Sequence, residues 1–282
     1  MSHRDGKKSL YDINMDAHSS YAHPNEKNSG SGGCASGSLY LANVLKEAKS
    51  EMQNEKSKNG ITVALLGGSG RGKSTILRKI FIDDIYAGKE YIINIFTESA
   101  SSDAFKGLSK DVIVDGMGVD QDTIHFCYKM NQEYDKKYNF VLMIDDCIHI
   151  RYQKMIERMF LIMRNSNVTS IVSIQHARLL NLSIRNSIYF AICMGFNGEE
   201  GVEICTRTWI GGYLPGKSIS EKIYYYQEWA QEGHRFFLLD NLNHRCYKVD
   251  ENYMCEELFL QKREVDVKKR KRPSEFEFES DE

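Results

Sequence analysis

In this chain a glycine-rich loop separates a short apolar run from a segment of helical character. It matches the pattern G-x-x-x-x-G-K-[ST] over Gly67-Gly68-Ser69-Gly70-Arg71-Gly72-Lys73-Ser74. The run 61–66 predicts a strand before the loop, and residues 73–86 predict a helix after it. Glycines let successive backbone N–H groups converge on phosphate oxygens, and a helix N-terminus adds partial positive charge. The sequence therefore predicts a nucleoside triphosphate site at a strand–loop–helix junction.

Individual loop residues have distinct expected roles. The ammonium group of Lys73 would neutralise the β- and γ-phosphates, and the Ser74 hydroxyl would ligate Mg²⁺. Thr75, in the first turn of the predicted helix, completes the nucleotide-binding set that begins at Gly67. The loop thus predicts a nucleoside triphosphate with magnesium and does not select a base.

Polar residues follow two further apolar runs. Asp145 and Asp146 come directly after the predicted strand 140–144, and Gln175 comes directly after 170–174. The first acid is expected to hold Mg²⁺ through water, and the second to orient and deprotonate the attacking water. The amide of Gln175 would lie beside the γ-phosphate. A pair of acids here favours hydrolysis over phosphoryl transfer to another small molecule.

The order of runs predicts the fold class. Continuous apolar runs without polar alternation are typical of strands buried on both faces of a parallel sheet. Their alternation with helical segments predicts an α/β doubly wound P-loop domain with five core parallel strands, followed by a small C-terminal β-hairpin. The predicted strands are 61–66, 91–96, 140–144, 170–174 and 187–194, and the predicted helices are 73–86, 120–136 and 150–164.

Composition changes along the chain predict its organisation. Residues 1–58 are expected to form a flexible Gly/Ser-rich arm and a linker helix, 59–262 the P-loop domain, and 263–282 a disordered tail. In the tail, the basic run 268–272 fits either a nuclear import signal or a solvated segment balanced by the acids after it. No apolar run is long enough to predict a membrane span. The net charge of −2 excludes a protein that is basic over its whole surface.

Together these motifs resemble the FtsK–HerA superfamily, most closely the poxvirus-type genome-packaging ATPases of large DNA viruses, virophages and Polinton-like elements. The resemblance rests on the phosphate loop, on Asp145-Asp146, and on Arg164 shortly before the strand that ends at Gln175. Two positions depart from the usual pattern, because Asn165 stands where the family often has His and Asp146 where many members have Glu.

The resemblance implies a RecA-like fold and an ATP-driven motor that moves double-stranded DNA into a capsid. It implies ATP as the nucleotide and a ring of identical subunits, a hexamer or a pentamer, with Arg164 as an arginine finger that acts on the neighbouring subunit. Capsid vertex proteins are the further expected partners, with no membrane partner. The expected location is intracellular, in a virus factory or the nucleus, and also the virion.

Two other functions use the same loop and stay open. A P-loop nucleotide or nucleoside kinase would need an arginine-rich lid and a substrate-side Asp-Arg pair, which Asp145-Asp146 does not supply. A non-enzymatic virion adaptor would bind nucleotide only to hold its fold. Nucleotide turnover that DNA accelerates would distinguish the motor from both.

Overall fold

The fold is built on one sheet of ten strands. The structure is a computed structural model that describes residues 39–52, 59–88, 90–99, 101–109, 112–115, 119–146 and 153–258. The strands lie in the order β1-β10-β9-β8-β7-β2-β6-β5-β3-β4. They are β1 (Leu39–Tyr40), β2 (Thr62–Leu66), β3 (Tyr91–Thr97), β4 (Val112–Asp115), β5 (Asn139–Asp145), β6 (Val168–Ile174), β7 (Phe190–Cys193), β8 (Phe236–Asp240), β9 (Arg245–Val249) and β10 (Met254–Glu257).

The central part of the sheet is parallel. Strands β7, β2, β6, β5, β3 and β4 pair in parallel, with β2 between β6 and β7. All residues of β2 and β6 are buried, as their continuous apolar runs predict. The five predicted core strands are therefore confirmed, and β4 is an additional parallel strand at the edge.

The remaining strands extend the sheet in antiparallel fashion. The predicted hairpin forms β8 and β9, but β8 also pairs with β7, from Phe190↔Asp240 to Cys193↔Phe237. Strands β10 and β1 complete this side. The hairpin is therefore part of the main sheet and not a separate small element.

Helices cover both faces of the sheet. They are α1 (Leu41–Met52), α2 (Lys73–Ile76), α3 (Gln121–Glu133), α4 (Gln153–Leu161), α5 (Leu182–Asn186), α6 (Glu199–Cys205) and α7 (Ile219–Ala230). The chain continues as a π-helix after α2 (Leu77–Ile85) and after α6 (Thr206–Ile210), and 3-10 turns occupy Asp103–Phe105, Met163–Ser166 and Ala177–Leu179. None of the helices in these described ranges is long and apolar enough to span a bilayer.

Alternate residues of each strand enter two separate hydrophobic cores. Val63 and Leu65 of β2 pack with α1 and α2, whereas Ala64 and Leu66 pack with the helices from α3 to α7. Since successive side chains of a strand point to opposite faces, the molecule has three layers, helices–sheet–helices.

The amino-terminal end of the described chain belongs to this same unit. Leu41 and Leu45 of α1 are buried in one of the two cores, and β1 pairs with β10. Residues 39–52 therefore pack with the sheet, whereas the sequence interpretation treats them as part of an arm and linker helix. The predicted arm 1–38 and tail 263–282, with its basic run, lie outside the described residues.

Candidate active site

The predicted site residues meet at one edge of the sheet. The phosphate loop follows β2, Gln175 follows β6, and Asp145 ends β5. These three strands are parallel neighbours, so their carboxyl ends lie together. In open α/β sheets this is the edge where ligands bind.

Lys73 is held inside the loop that it is expected to serve. Its side chain is almost fully buried, and Nζ donates hydrogen bonds of 3.0 Å to the carbonyl oxygens of Gly67 and Gly68. Nζ also lies 3.7 Å from Oδ1 of Asp146. The ammonium group is therefore desolvated and already positioned at the loop, which makes it a strong partner for phosphate oxygens.

Ser74 and Asp145 form the expected metal-binding pair. The Ser74 hydroxyl donates a 2.7 Å hydrogen bond to Oδ2 of Asp145, which joins the start of α2 to the end of β5. Oδ1 of Asp145 is buried and has no hydrogen-bond partner among the described residues. A buried carboxylate oxygen without a donor suits a hard cation, because Mg²⁺ takes oxygen ligands.

Burial raises the pKa of Asp145, and the nearby hydroxyls of Ser173 and Ser74 only partly oppose that shift. The carboxylate of Asp146 raises the pKa further, whereas the ammonium group of Lys73 lowers it. Desolvation thus disfavours the ionised form of Asp145. A cation bound beside it would supply the missing compensation.

Asp146 has an unusual backbone conformation at the end of β5. Its φ angle is +53°, in the left-handed region that Asp and Asn tolerate better than most residues. Its carboxylate is partly exposed, and the ion pair with Lys73 directs Oδ1 towards the loop. The second acid therefore points to the place where a γ-phosphate and its attacking water are expected.

The loop backbone is fixed by the ends of its two neighbouring strands. The N–H of Gly67 donates to the carbonyl of Ile174 at the end of β6, and the N–H of Gly68 donates to the carbonyl of Gly195 just after β7. A Cβ atom on Gly68 would lie 2.9 Å from the backbone nitrogen of Asn197. This close approach explains why glycine is required there.

Arg71 is a structural anchor of the loop. Its guanidinium donates to the carbonyl oxygens of Gln231 and Phe196 and to the side chain of Asn197, while Asn197 donates back to the Ser69 carbonyl. These bonds hold the outer part of the loop against the segments after β7 and α7. The place of Arg71 in the loop was predicted, but this anchoring was not, because its partners are about 125–160 residues away along the chain.

Gln175, one strand from Asp145, is half-buried. Two further polar residues at this edge, Thr97 and His234, were not predicted from the sequence. Thr97 ends β3 directly opposite Asp145 in register and is fully buried. The signal for Thr97 was the same as for Asp145, a polar residue at the end of an apolar run. His234, in the turn before β8, also reaches the loop at Gly72.

Arg164 is not brought together with these residues. It lies in the 3-10 turn Met163–Ser166 before β6, whereas the loop lies beyond the carboxyl ends of the strands. The seven residues of β6 separate these edges by about 20 Å. Its guanidinium lies over the ring of Tyr189, 5.2 Å from the ring centroid. Its assignment as a finger stays a prediction.

The fold has solved counterparts, although the chain matches no protein-family model and no curated protein sequence. One is the genome packaging NTPase B204 from Sulfolobus turreted icosahedral virus 2 in complex with sulfate. The TM-score is 0.50 at 14% identity, covering 67% of this chain and 95% of that one. The AMP complex of the same protein gives a TM-score of 0.49 at 16% identity, covering 67% and 96%. The predicted α/β, RecA-like P-loop fold is confirmed, and so is the resemblance to viral packaging ATPases at the level of the fold.

Proposed function

We propose that this protein is a Mg²⁺-dependent ATP hydrolase. The observation that supports it most directly is the joint placement of Lys73, Ser74, Asp145 and Asp146 around one phosphate loop, with a hydrogen bond from Ser74 to Asp145. Each group has the chemistry of its predicted role: a buried ammonium for phosphate, a hydroxyl and a buried carboxylate for magnesium, and a second carboxylate for water. A kinase would require an acceptor site and a lid in addition.

The reaction uses these side chains as follows. Lys73 leaves the carbonyls of Gly67 and Gly68 for the β- and γ-phosphates, and the backbone N–H groups of the loop bind the same oxygens. Ser74 and Asp145 would hold Mg²⁺, which supplies charge neutralisation on the phosphate oxygens when bound. Asp146 accepts a proton from the attacking water, and Gln175 orients that water.

The motor role is the second part of the proposal. The protein would form a ring, hexameric or pentameric, that translocates double-stranded DNA into a capsid at a vertex. Support comes from the resemblance of the motifs and from a fold shared with B204, a genome packaging NTPase. Action in an intracellular virus factory or nucleus, and presence in the virion, belong to the same proposal. DNA binding would be electrostatic and independent of sequence, since a motor must grip every step that it passes.

The test is ATP turnover by the purified full chain with and without linear duplex DNA, combined with particle sizing. The motor predicts turnover that DNA accelerates, in a ring-sized particle, and DNA affinity that falls steeply with salt. Tight nucleotide binding without turnover would favour the non-enzymatic adaptor and contradict the motor. Phosphate transfer to a nucleoside or nucleotide instead of water would replace it by the kinase.

A further inference from the structure

We propose that the base of the nucleotide binds on the β7 side of the phosphate loop, where the ring of His234 stacks on it. This inference rests on the proposed ATPase function and extends it to the recognition of the base. The two sides of the loop differ in chemistry. Towards β6 and β5 lie Gln175, Asp145 and Asp146, the groups expected at the γ-phosphate and the metal. A triphosphate that spans the loop with its γ-phosphate there must direct its base to the opposite side.

The opposite side is formed by two turns that are fixed to the loop. In the turn after β7, residues 194–198, the carbonyl oxygen of Gly195 accepts a hydrogen bond from the N–H of Gly68, and the side-chain amide of Asn197 donates to the carbonyl of Ser69. The turn before β8, residues 231–235, is held through Gln231, whose carbonyl accepts from Arg71. The Gln231 side chain in turn donates to the Phe196 carbonyl, 2.8 Å away. These hydrogen bonds join the two turns into one wall beside the loop.

The imidazole of His234 belongs to that wall and lies beside the loop backbone at Gly72. A Cβ atom on Gly72 would lie 3.3 Å from Nδ1 of His234, so the imidazole packs against the bare backbone just before Lys73. The residue is nevertheless exposed. Among the residues that the structure describes, its ring has no hydrogen-bond or ion-pair partner. A flat ring that is supported on one side and accessible to solvent is suited to stacking on a purine.

The neighbours of His234 are already engaged. Arg235 pairs with Glu232 and lies over the ring of Trp229, and Trp229 donates from its indole nitrogen to the Phe236 carbonyl. These contacts fix the turn and leave His234 as its free aromatic group. Stacking needs only a π-face, so this contact would make a nucleotide bind more tightly than its phosphate chain alone. It would not distinguish adenine from guanine.

The experiment compares two ligands, Mg·ATP and magnesium tripolyphosphate, which has the phosphates without the base. Affinities are measured by calorimetry for the full-chain wild type, for His234→Ala and for His234→Phe. The matched control is His125→Ala, which removes an exposed histidine on α3. Thermal melts of each variant verify that the fold is intact.

The proposal predicts that wild type binds ATP more tightly than tripolyphosphate and that His234→Ala weakens ATP binding by about 5- to 150-fold. Tripolyphosphate affinity should not change, and His234→Phe should restore most of the ATP affinity. Unchanged ATP binding in His234→Ala, or equal loss of both ligands, would overturn the base site while the ATPase stands. Wild-type protein that binds neither ligand would overturn the proposed ATPase, and the base site with it.

Discussion

Replacement of Asp146 by Asn separates catalysis from binding at this site. The change keeps the size of the side chain and removes the carboxylate that is expected to accept the proton of the attacking water. Asn also tolerates the left-handed backbone, φ +53°, that residue 146 adopts. The variant is therefore expected to fold as the wild type does.

The structure sets the expected size of each effect. Loss of a positioned general base lowers kcat by about 100- to 10,000-fold, which corresponds to about 3–5 kcal/mol in the activation free energy. The ion pair that is lost is 3.7 Å long, buried at Lys73 and partly exposed at Asp146, so its loss should lower folding stability by about 1–3 kcal/mol. Nucleotide affinity should stay equal or increase, because the substitution removes a negative charge near the γ-phosphate and releases Lys73.

The assay combines steady-state phosphate release, calorimetric titration with ATP, and urea unfolding. Asp135→Asn is the matched control, because Asp135 is exposed, has a φ angle of +48°, and lies in the turn before β5, at the opposite end of that strand from the site. Wild-type kcat in the Asp146→Asn variant would refute the assignment of the general base. Loss of ATP binding together with turnover would show that Asp146 acts in binding instead.

Four further outcomes test the rest of the site and the fold. Lys73→Ala should weaken ATP binding by about 10- to 100-fold and stop phosphate release, because the charged contacts to phosphate are lost. Asp145→Asn should abolish Mg²⁺-dependent turnover yet raise the unfolding temperature of the nucleotide-free protein. The reason is that burial raises the pKa of Asp145. The ionised form of Asp145 therefore destabilises the folded state. As pH rises from the pKa of Asp145 in the unfolded chain through its raised pKa in the folded protein, the free energy of unfolding of the wild type should fall relative to that of the Asn variant. Gly60→Ala should lower the free energy of unfolding in urea by about 1–3 kcal/mol or more, because the new Cβ would lie 2.1 Å from a backbone carbonyl oxygen of β6. Gly212→Ala is the control, because a Cβ there meets open space and should leave stability unchanged. Subunits with Lys73→Ala and subunits with Arg164→Ala should each be nearly inactive alone. If Arg164 acts across an interface, mixed rings of the two should recover part of the ATPase activity. No recovery in verified mixed rings would refute the assignment of Arg164 as a finger.

Most of the central sheet could be predicted because its strands are long and buried on both faces. Strands β2, β3, β5 and β6 begin and end within two residues of their predicted bounds. Elements defined by their partners were missed. β4 has four residues and β1 has two, and each exists only because it pairs with the strand beside it. Periodicity along the chain carries no information about such pairing.

The placement of the phosphate loop, Asp145, Asp146 and Gln175 at one edge of the sheet could be predicted for a related reason, and their catalytic roles stay a prediction. Loop residues and strand-end acids are local signals, and parallel topology alone then brings the strand ends together. The wall on the β7 side could not be predicted in this way. Arg71 is bound by groups more than 120 residues away, and His234 lies in a turn whose sequence gives no sign of its proximity to Gly72.

The position of Arg164 bears on the ring that we propose. Its sequence spacing from Gln175 is that of one strand, so the two residues necessarily lie at opposite edges of the sheet. Within one chain the guanidinium cannot reach the phosphate loop, and its Nε is buried without a hydrogen-bond partner in the described part of the chain. A neighbouring subunit whose phosphate loop faced this edge would give that group an anion to bind. Under the proposed function, hydrolysis would then require the ring, and the amino edge of each sheet would complete the site of the next subunit.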